Sequence, residues 1–286
     1  MRSLPRTGRY PLIAGLVAAL VVHGCGEAPR NDGPAVEARA ESADRSSRAP
    51  GRPAASLRIL SYNIRHGEGF DSTVNLKRVA RLIRRLDADV VALQEVDSFV
   101  ERSFGVDQAA VLGSLTGMNA LFGGFFDYQG GRYGMAILSR YPIISQQNET
   151  LPEGAEPRTA LAVRTRLQPD GPELTVVGIH LYATDEERYV QAQRIIELFG
   201  DFDEPVVLAG DFNSTRESRV MAVLRDHFTV PLKADEGLTF PAREPEREID
   251  YILFRPDHRF RVLDHEVMDE RLISDHRPVI LDVIIE

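Results

Sequence analysis

Two runs of consecutive apolar residues, Val90 to Leu93 and Val206 to Ala209, are each followed two residues later by a carboxylate, Glu95 and Asp211. A strand that is apolar at every position has no face to offer water, so these segments belong inside a sheet covered on both sides. Only the strand ends then meet solvent. Polar clusters stand at such ends or just before a strand-like run: Ser61-Tyr62-Asn63, Gln94-Glu95-Val96-Asp97, Gly210-Asp211-Phe212-Asn213 and Ser274-Asp275-His276. Carboxylates gathered in one cleft repel and shift one another's pKa unless they share a cation. The economical reading is a divalent ion held by oxygen ligands with histidines nearby, as in a metal-assisted hydrolase of phosphate esters.

The globular part begins near Leu57. Arg2, Arg6 and Arg9 precede an apolar stretch from Pro11 to Val22, which at twelve residues is too short to span a bilayer but suits a signal peptide. It leads into Val22-His23-Gly24-Cys25, which resembles the bacterial lipoprotein cleavage box. That resemblance implies removal of residues 1–24, acylation of Cys25, and a protein lipid-anchored to a membrane of the cell envelope. An ordinary secretory signal, with a secreted or periplasmic product, is the alternative. Cys25 is the only cysteine, so the fold rests on its own core without an internal disulfide. The remainder of 25–56 has almost no large apolar side chains and reads as a disordered tether, leaving one domain over 57–286.

Charge sharpens once that leader is set aside. Eight of the 34 basic residues and five of the 43 acidic ones fall in 1–56, so residues 57–286 carry a net charge of −12. Such a surface repels polyanions, and no basic stripe is visible. Nucleic acid is lowered as a partner without being removed, because part of the excess is the acidic site itself.

Leu57 to Ser61, an amphipathic helix over Val74 to Leu86, and Val90 to Leu93 open the domain as a strand, helix, strand unit. A second helix is expected over Val106 to Leu115. Short strand candidates from Ala120 to Leu181 follow, read together as an antiparallel meander. A helix is expected over Thr184 to Phe199, with Thr184 as cap and Asp185, Glu186 and Glu187 at the positive end of its dipole. Another is expected over Arg216 to Leu224, and the strands Ile249 to Phe254, Phe260 to Val267 and Val279 to Ile285 complete the domain. The two halves echo one another, each pairing a meander with a buried strand that ends in a carboxylate. The expected fold is a four-layer α/β sandwich: two packed sheets, antiparallel or mixed, flanked by helices.

In this order the motifs Leu60-Ser61-Tyr62-Asn63, Leu93-Gln94-Glu95, Ile179-His180, Gly210-Asp211-Phe212-Asn213, Ile249-Asp250-Tyr251 and Ser274-Asp275-His276-Arg277-Pro278 resemble the endonuclease/exonuclease/phosphatase superfamily. The resemblance runs from about Leu57 to Ile285 and implies hydrolysis of phosphate esters with Mg²⁺ or Mn²⁺. It implies metal ligation by Asn63, Glu95 and Asp275. Asp211 and Asn213 would serve the nucleophilic water and the transition state, and His180 would contact the scissile phosphate. His276, the main acid–base imidazole, would be oriented by Asp250. Arg158 resembles an arginine that some branches place on a phosphate oxygen, although a surface strand arginine fits the sequence nearly as well. Asp97 reads as a surface acid, and His66, His227, His258 and His265 as structural or exposed.

The substrate is left open among phosphate esters, with lipid and nucleic acid both in view. His180 stands where abasic-site repair enzymes carry a tyrosine. Ser214 stands where phosphoinositide phosphatases carry a basic residue. No aromatic membrane-inserting hairpin stands out, and tryptophan is absent. A phosphodiesterase or phosphatase of the cell envelope, acting as a monomer, is the expectation. A secreted or envelope nuclease is the nearest rival, and a catalytically inactive binding lipoprotein the reading from another class.

Overall fold

The computed structural model describes residues 56–152, 154–168, 171–182 and 184–286. The expected signal peptide, Cys25 and the tether up to residue 55 lie outside the described residues. In chain order the elements are β1 (Leu57–Asn63), α1 (Leu76–Leu86), β2 (Val90–Ser98), α2 (Gln108–Thr116), β3 (Asn119–Tyr128), β4 (Gly131–Ser139) and β5 (Ile143–Thr150). There follow β6 (Thr159–Arg166), β7 (Glu173–His180), α3 (Asp185–Phe199), β8 (Val206–Asp211), α4 (Arg219–Arg225), β9 (Asp250–Arg255), β10 (Phe260–Val267) and β11 (Val279–Ile285).

The strands form two sheets, ordered β10-β11-β1-β2-β4-β3 and β5-β6-β7-β8-β9. Alternation along each central strand sorts its side chains between two dry faces. Ile59, Val90, Ala92 and Ile137 of the first sheet share one core with Val163, Val176, Val207, Ala209 and Ile252 of the second. The intervening residues Leu60, Tyr62, Val91 and Leu93 pack beneath Val79, Leu82 and Ile83 of α1 and Leu112 of α2. On the other side Val206, Leu208, Tyr251 and Leu253 are covered by Ile195 and Phe199 of α3 and Val220 and Leu224 of α4. Helices, sheet, sheet, helices is the expected four-layer α/β sandwich, and it explains why these strands are apolar at every position.

Several boundaries depart from the sequence reading for local reasons. α1 begins at Leu76 rather than Val74, because the Asn75 side chain accepts from Arg78 N and caps the helix there. α4 likewise starts behind the Ser218 cap instead of at Arg216. Thr184 caps α3 as expected. The stretch expected as one meander is divided: β3 and β4 complete the first sheet, while β5, β6 and β7 open the second. Its pairings are antiparallel as read. The change of sheet falls in the short connection between Ser139 and Ile143, and β5, the largely exposed edge strand it leads to, has no regular apolar alternation to mark it.

β1 and β2 run parallel across α1, and β7 and β8 run parallel across α3, so the two sheets do repeat one strand, helix, strand unit. Gly210 sits opposite Ile179 in the β7–β8 ladder, where an added Cβ would lie 1.8 Å from the Ile179 carbonyl oxygen. Close approach, not an unusual dihedral, is its requirement. Gly210→Ala is expected to force β7 and β8 apart just before His180 and Asp211, and to destabilise the fold by about 2 kcal/mol or more. Chemical denaturation checks this, and an unchanged midpoint would contradict it.

Candidate active site

The alternation that builds the core also aims the polar residues at the strand ends. On β1 the face bearing Ile59 continues through Ser61 to Asn63. On β7 the face of Val176 continues to His180, on β8 that of Val207 and Ala209 to Asp211, and on β9 Asp250 precedes Ile252 and Phe254. All four polar side chains therefore leave the inter-sheet face at one end of the sandwich. Glu95 has the wrong parity for this. A register shift between Gln94 and Val96, with Glu95 at φ 57°, corrects it, and the Asn63 amide donates to Glu95 Oε1 at 3.0 Å. His276 comes from the connection between β10 and β11. There Ser274 Oγ donates to the Asn63 carbonyl at 2.7 Å and contacts Asp275 Oδ1 at 3.3 Å, which ties Asp275 to the end of β1.

Asp211 Oδ2 is the hub. It accepts from Asn63 Nδ2 at 3.2 Å, and the Nε2 atoms of His180 and His276 each stand 3.7 Å away. Its other oxygen accepts from Asn213 N at 2.8 Å, with Asn213 in the left-handed region at φ 49°. The Asn213 amide donates to the Leu181 carbonyl at 3.0 Å, so in this arrangement it braces the loop after β8 against that after β7. His276 Nδ1 is 2.9 Å from Asp250 Oδ2, a buried dyad.

Burial, then the charge of Asp250, pushes the Asp211 carboxyl up to about 7, against the pull of His276. Burial opposes charge on His276 too, but Asp250 and Asp211 outweigh it and lift the imidazole to about 10. His180 is held well below its usual range by burial and by the positive charges of Arg158 and His276. One imidazolium, one neutral imidazole and a carboxylic acid poised near neutrality thus surround a single point.

The donors fit a hard divalent cation. Glu95, Asp211 and Asn63 converge through one amide, and Asp211, Asp250 and His276 bring ligand atoms within 4.8 Å of one another. Buried polar atoms at the same strand ends also lack hydrogen-bond partners among the described residues: Asp250 Oδ1, His180 Nδ1, and both polar atoms of the Gln94 amide. Unpaired buried groups are costly, and a hydrated ion would satisfy them. Because Asp250 already engages His276 Nδ1, the side of the cleft holding Asn63 and Glu95 is the better seat for the ion. The Asn63 side-chain oxygen Oδ1 accepts from Arg65 N at 3.1 Å, while the side-chain nitrogen faces the carboxylates.

Other expectations are changed by the structure. Arg158 is no surface arginine: it is 5 % exposed, lies 4.9 Å from the Phe125 ring and 5.2 Å from that of Tyr182, and donates to Glu156. Asp97 is buried, not a surface acid, and both its oxygens accept from Arg102 at 2.8 Å. His265 is buried and structural, while His227 and His258 are exposed, as read. His66 is half-buried at φ 44°, with Nε2 3.5 Å from Glu68. Residues that sequence reasoning passed over complete the site. The Phe240 ring packs 4.8 Å from His276, and the Phe125 ring 6.2 Å from His180. Thr239 Oγ1 accepts from Asp250 N at 3.3 Å, and its carbonyl from Arg277 N at 2.8 Å, linking Asp250 to the residue that follows His276.

Residues 60–276 match the model of the Endonuclease/Exonuclease/phosphatase family. YbhP, an uncharacterized protein of Escherichia coli K12, is 28% identical over 244 residues, 80% of this chain and 96% of its own length. The crystal structure of an endonuclease/exonuclease/phosphatase from Beutenbergia cavernae superposes with a TM-score of 0.65 at 23% identity, covering 81% of this chain and 72% of that one. A mannosyl-6-phosphatase from Bacteroides thetaiotaomicron does so with a TM-score of 0.66 at 20% identity, covering 80% and 99%. These structures share the fold, the matched span holds every site residue from Asn63 to His276, and the chain belongs to the endonuclease/exonuclease/phosphatase family.

Proposed function

We propose that the protein is a divalent-metal-dependent hydrolase of phosphate esters, a phosphodiesterase or phosphatase that works in the cell envelope with Mg²⁺ or Mn²⁺. The observation that carries the reading is the convergence of His180, His276 and Asn63 on Asp211 Oδ2, with Asp250 holding His276 in its charged form. Binding alone has no use for an acid and a base held 3.7 Å apart in a buried cleft. A bound divalent ion would supply Lewis-acid polarisation of a phosphoryl oxygen at the Asn63–Glu95 side.

The chain's own residues supply the proton chemistry. His276 gives its Nδ1–H to Asp250, so Nε2–H is the proton left to face a phosphoryl or leaving-group oxygen. Asp211, held near 7, can take a proton from an attacking water at neutral pH. His180 stays neutral on the other side of Asp211 and offers a hydrogen bond rather than a charge. Arg158, buried among aromatic rings, places a fixed cation beside His180 for a phosphate oxygen. An envelope location draws its support from the apolar run at Pro11 to Val22 and the box ending in Cys25.

The full chain should hydrolyse a bis-aryl phosphodiester or an aryl phosphate in the presence of Mg²⁺ or Mn²⁺. His276→Ala should lower kcat by about 10²- to 10⁴-fold with the fold retained, as expected for loss of an acid–base group. Undiminished turnover in that variant, or after exhaustive chelation, removes the reading. Stability should show the same chemistry. Because the Asp211 pKa rises from 3.8 to about 7 on folding, its contribution is full below 3.8 and is lost as pH climbs through 7. A neighbouring cation reverses that loss, so the gain in Tm on adding Mg²⁺ or Mn²⁺ should be larger near pH 8 than near pH 5. Equal gains at the two values in a thermal shift assay would show that the ion does not sit beside Asp211.

A further inference from the structure

Asp250 opens β9, an edge strand of the second sheet, and is held there from outside the sheet. On that outer edge Phe254 exchanges both main-chain bonds with Thr229, at 2.9 and 3.1 Å. Antiparallel pairing turns every second residue to the same side, so Ile252 and Asp250 also face their N–H and C=O outward. Side chains complete Asp250. Thr239 Oγ1 accepts from its N at 3.3 Å, and Lys233 Nζ donates to its carbonyl at 3.1 Å.

A lysine is a costly way to satisfy a carbonyl. The Lys233 side chain is 1% exposed, and an ammonium taken out of water destabilises the fold unless its charge is compensated. Glu248 Oε1 accepts from Nζ, and the centre of the Tyr251 ring lies 4.6 Å away. Glu248, however, has another cation: Arg216 Nε donates to Oε2 at 3.1 Å and Arg216 Nη2 to Oε1 at 3.4 Å. Two cations and one carboxylate leave one positive charge over. Burial draws the Lys233 pKa down, and Glu248 and then Asp250 pull against it. Asp250 is thus a second anion that this ammonium serves.

The main chain that carries Lys233 is pinned on both sides. The Pro231 carbonyl accepts from Arg216 Nη2 at 3.2 Å, and that of Leu232 lies 3.3 Å from Nδ1 of buried His265. Ala234 N donates to the His265 carbonyl at 2.7 Å. His265 belongs to β10, an edge strand of the first sheet, so residues 231–234 bridge the two sheets and Lys233 reaches from that bridge to Asp250. An imidazole misplaced by 1 Å can cost about 10²-fold in rate, so a group that sets the start of β9 bears on the reaction without touching substrate.

We propose that Lys233 is a positioning residue of the site: its buried ammonium fixes the start of β9 and, through Asp250, the ring of His276. The effect on turnover rests on the hydrolase reading above; the effect on the ring does not. In the full chain, Lys233→Met should lower kcat for a bis-aryl phosphodiester about tenfold or more, with KM within about twofold. Arg216→Met, which removes the other cation of Glu248 and leaves Asp250 untouched, should keep kcat within about threefold. Added to Asp250→Ala, Lys233→Met should cost no more than about twofold further, because its partner is gone. In spectra of protein carrying ¹⁵N-histidine, the His276 Nδ1 resonance, assigned by its loss in His276→Ala, should move in Lys233→Met and stay in Arg216→Met. Glu248→Gln, which loosens the ammonium, should act in the same direction and serves if Lys233→Met does not fold. An unmoved resonance overturns the proposal. So does an equal loss of kcat with and without Asp250, which would mean an effect on the fold at large, or an equal loss in Arg216→Met. A moved resonance in a protein whose wild type turns nothing over removes the hydrolase and leaves the positioning.

Discussion

A carboxylate that is 1% exposed, with a second buried carboxylate nearby, is the arrangement on which the rest of the site depends. Two buried anions side by side cannot both keep their charge without compensation. His276 supplies part of it, held between Asp250 at 2.9 Å and Asp211 at 3.7 Å. The Asn63 amide supplies more by donating to Asp211 and Glu95 together. The upward shift of Asp211 shows what these groups leave uncompensated, and a cation on the Asn63–Glu95 side of the cleft would make it up. The chemistry proposed for the site is a use of that residual imbalance.

Such a cluster needs a scaffold that brings distant strand ends together without exposing their backbones. Two sheets back to back do this. Each strand's inward face is committed to the shared core, so its terminal residue on that face must emerge into the gap between the sheets. The two parallel units, β1–α1–β2 and β7–α3–β8, then set Asn63 with Glu95 against His180 with Asp211. The 233–277 region closes the remaining side. Lys233 Nζ donates to the Asp250 carbonyl, Thr239 joins the Asp250 and Arg277 backbones, and Phe240 covers the His276 ring. His276 is thereby fixed by its partner carboxylate, by main-chain contacts around it and by packing, which is how an imidazole keeps one orientation in a solvent-reaching cleft.

Much of this was readable from residues alone. Continuous apolar runs at Val90–Leu93 and Val206–Ala209 are found inside doubly covered sheets, and the short polar motifs at their ends do converge. Features without periodic or motif signature were hidden. The parity of Glu95 is set by a bulge, and nothing in Gln94-Glu95-Val96 distinguishes a bulge from a regular strand. Asp97 looked like a surface acid because its half-buried partner, Arg102, lies beyond a turn in a segment with no apolar pattern. Arg158 was ambiguous because its burial comes from Phe125, Tyr133 and Tyr182, which belong to three other segments. Phe99 and Phe104 gave no aromatic hairpin pattern, since their exposure follows from backbone conformation and not from alternation.

That backbone conformation is itself distributed unevenly. Among the described residues, the non-glycine residues at positive φ are Arg65, His66, Ser72, Asp87, Glu95, Phe99, Phe104, Gln129 and Asn213. Asp87 ends α1, an ordinary left-handed helix cap at the end remote from the cleft. The other eight all lie at strand ends or on connections at the catalytic end of the sandwich. Each such residue costs on the order of 1–3 kcal/mol; Gln129 serves the two-residue turn that joins β3 to β4. At Glu95 the strain turns a carboxylate into the cleft, at Asn213 it brings a main-chain N–H onto Asp211, and at Phe99 and Phe104 it holds rings in solvent. The remote end has no comparable set because nothing there must point against the grain of its strand. Strain concentrated at one end, on a core that is conformationally regular, marks the end at which the molecule acts.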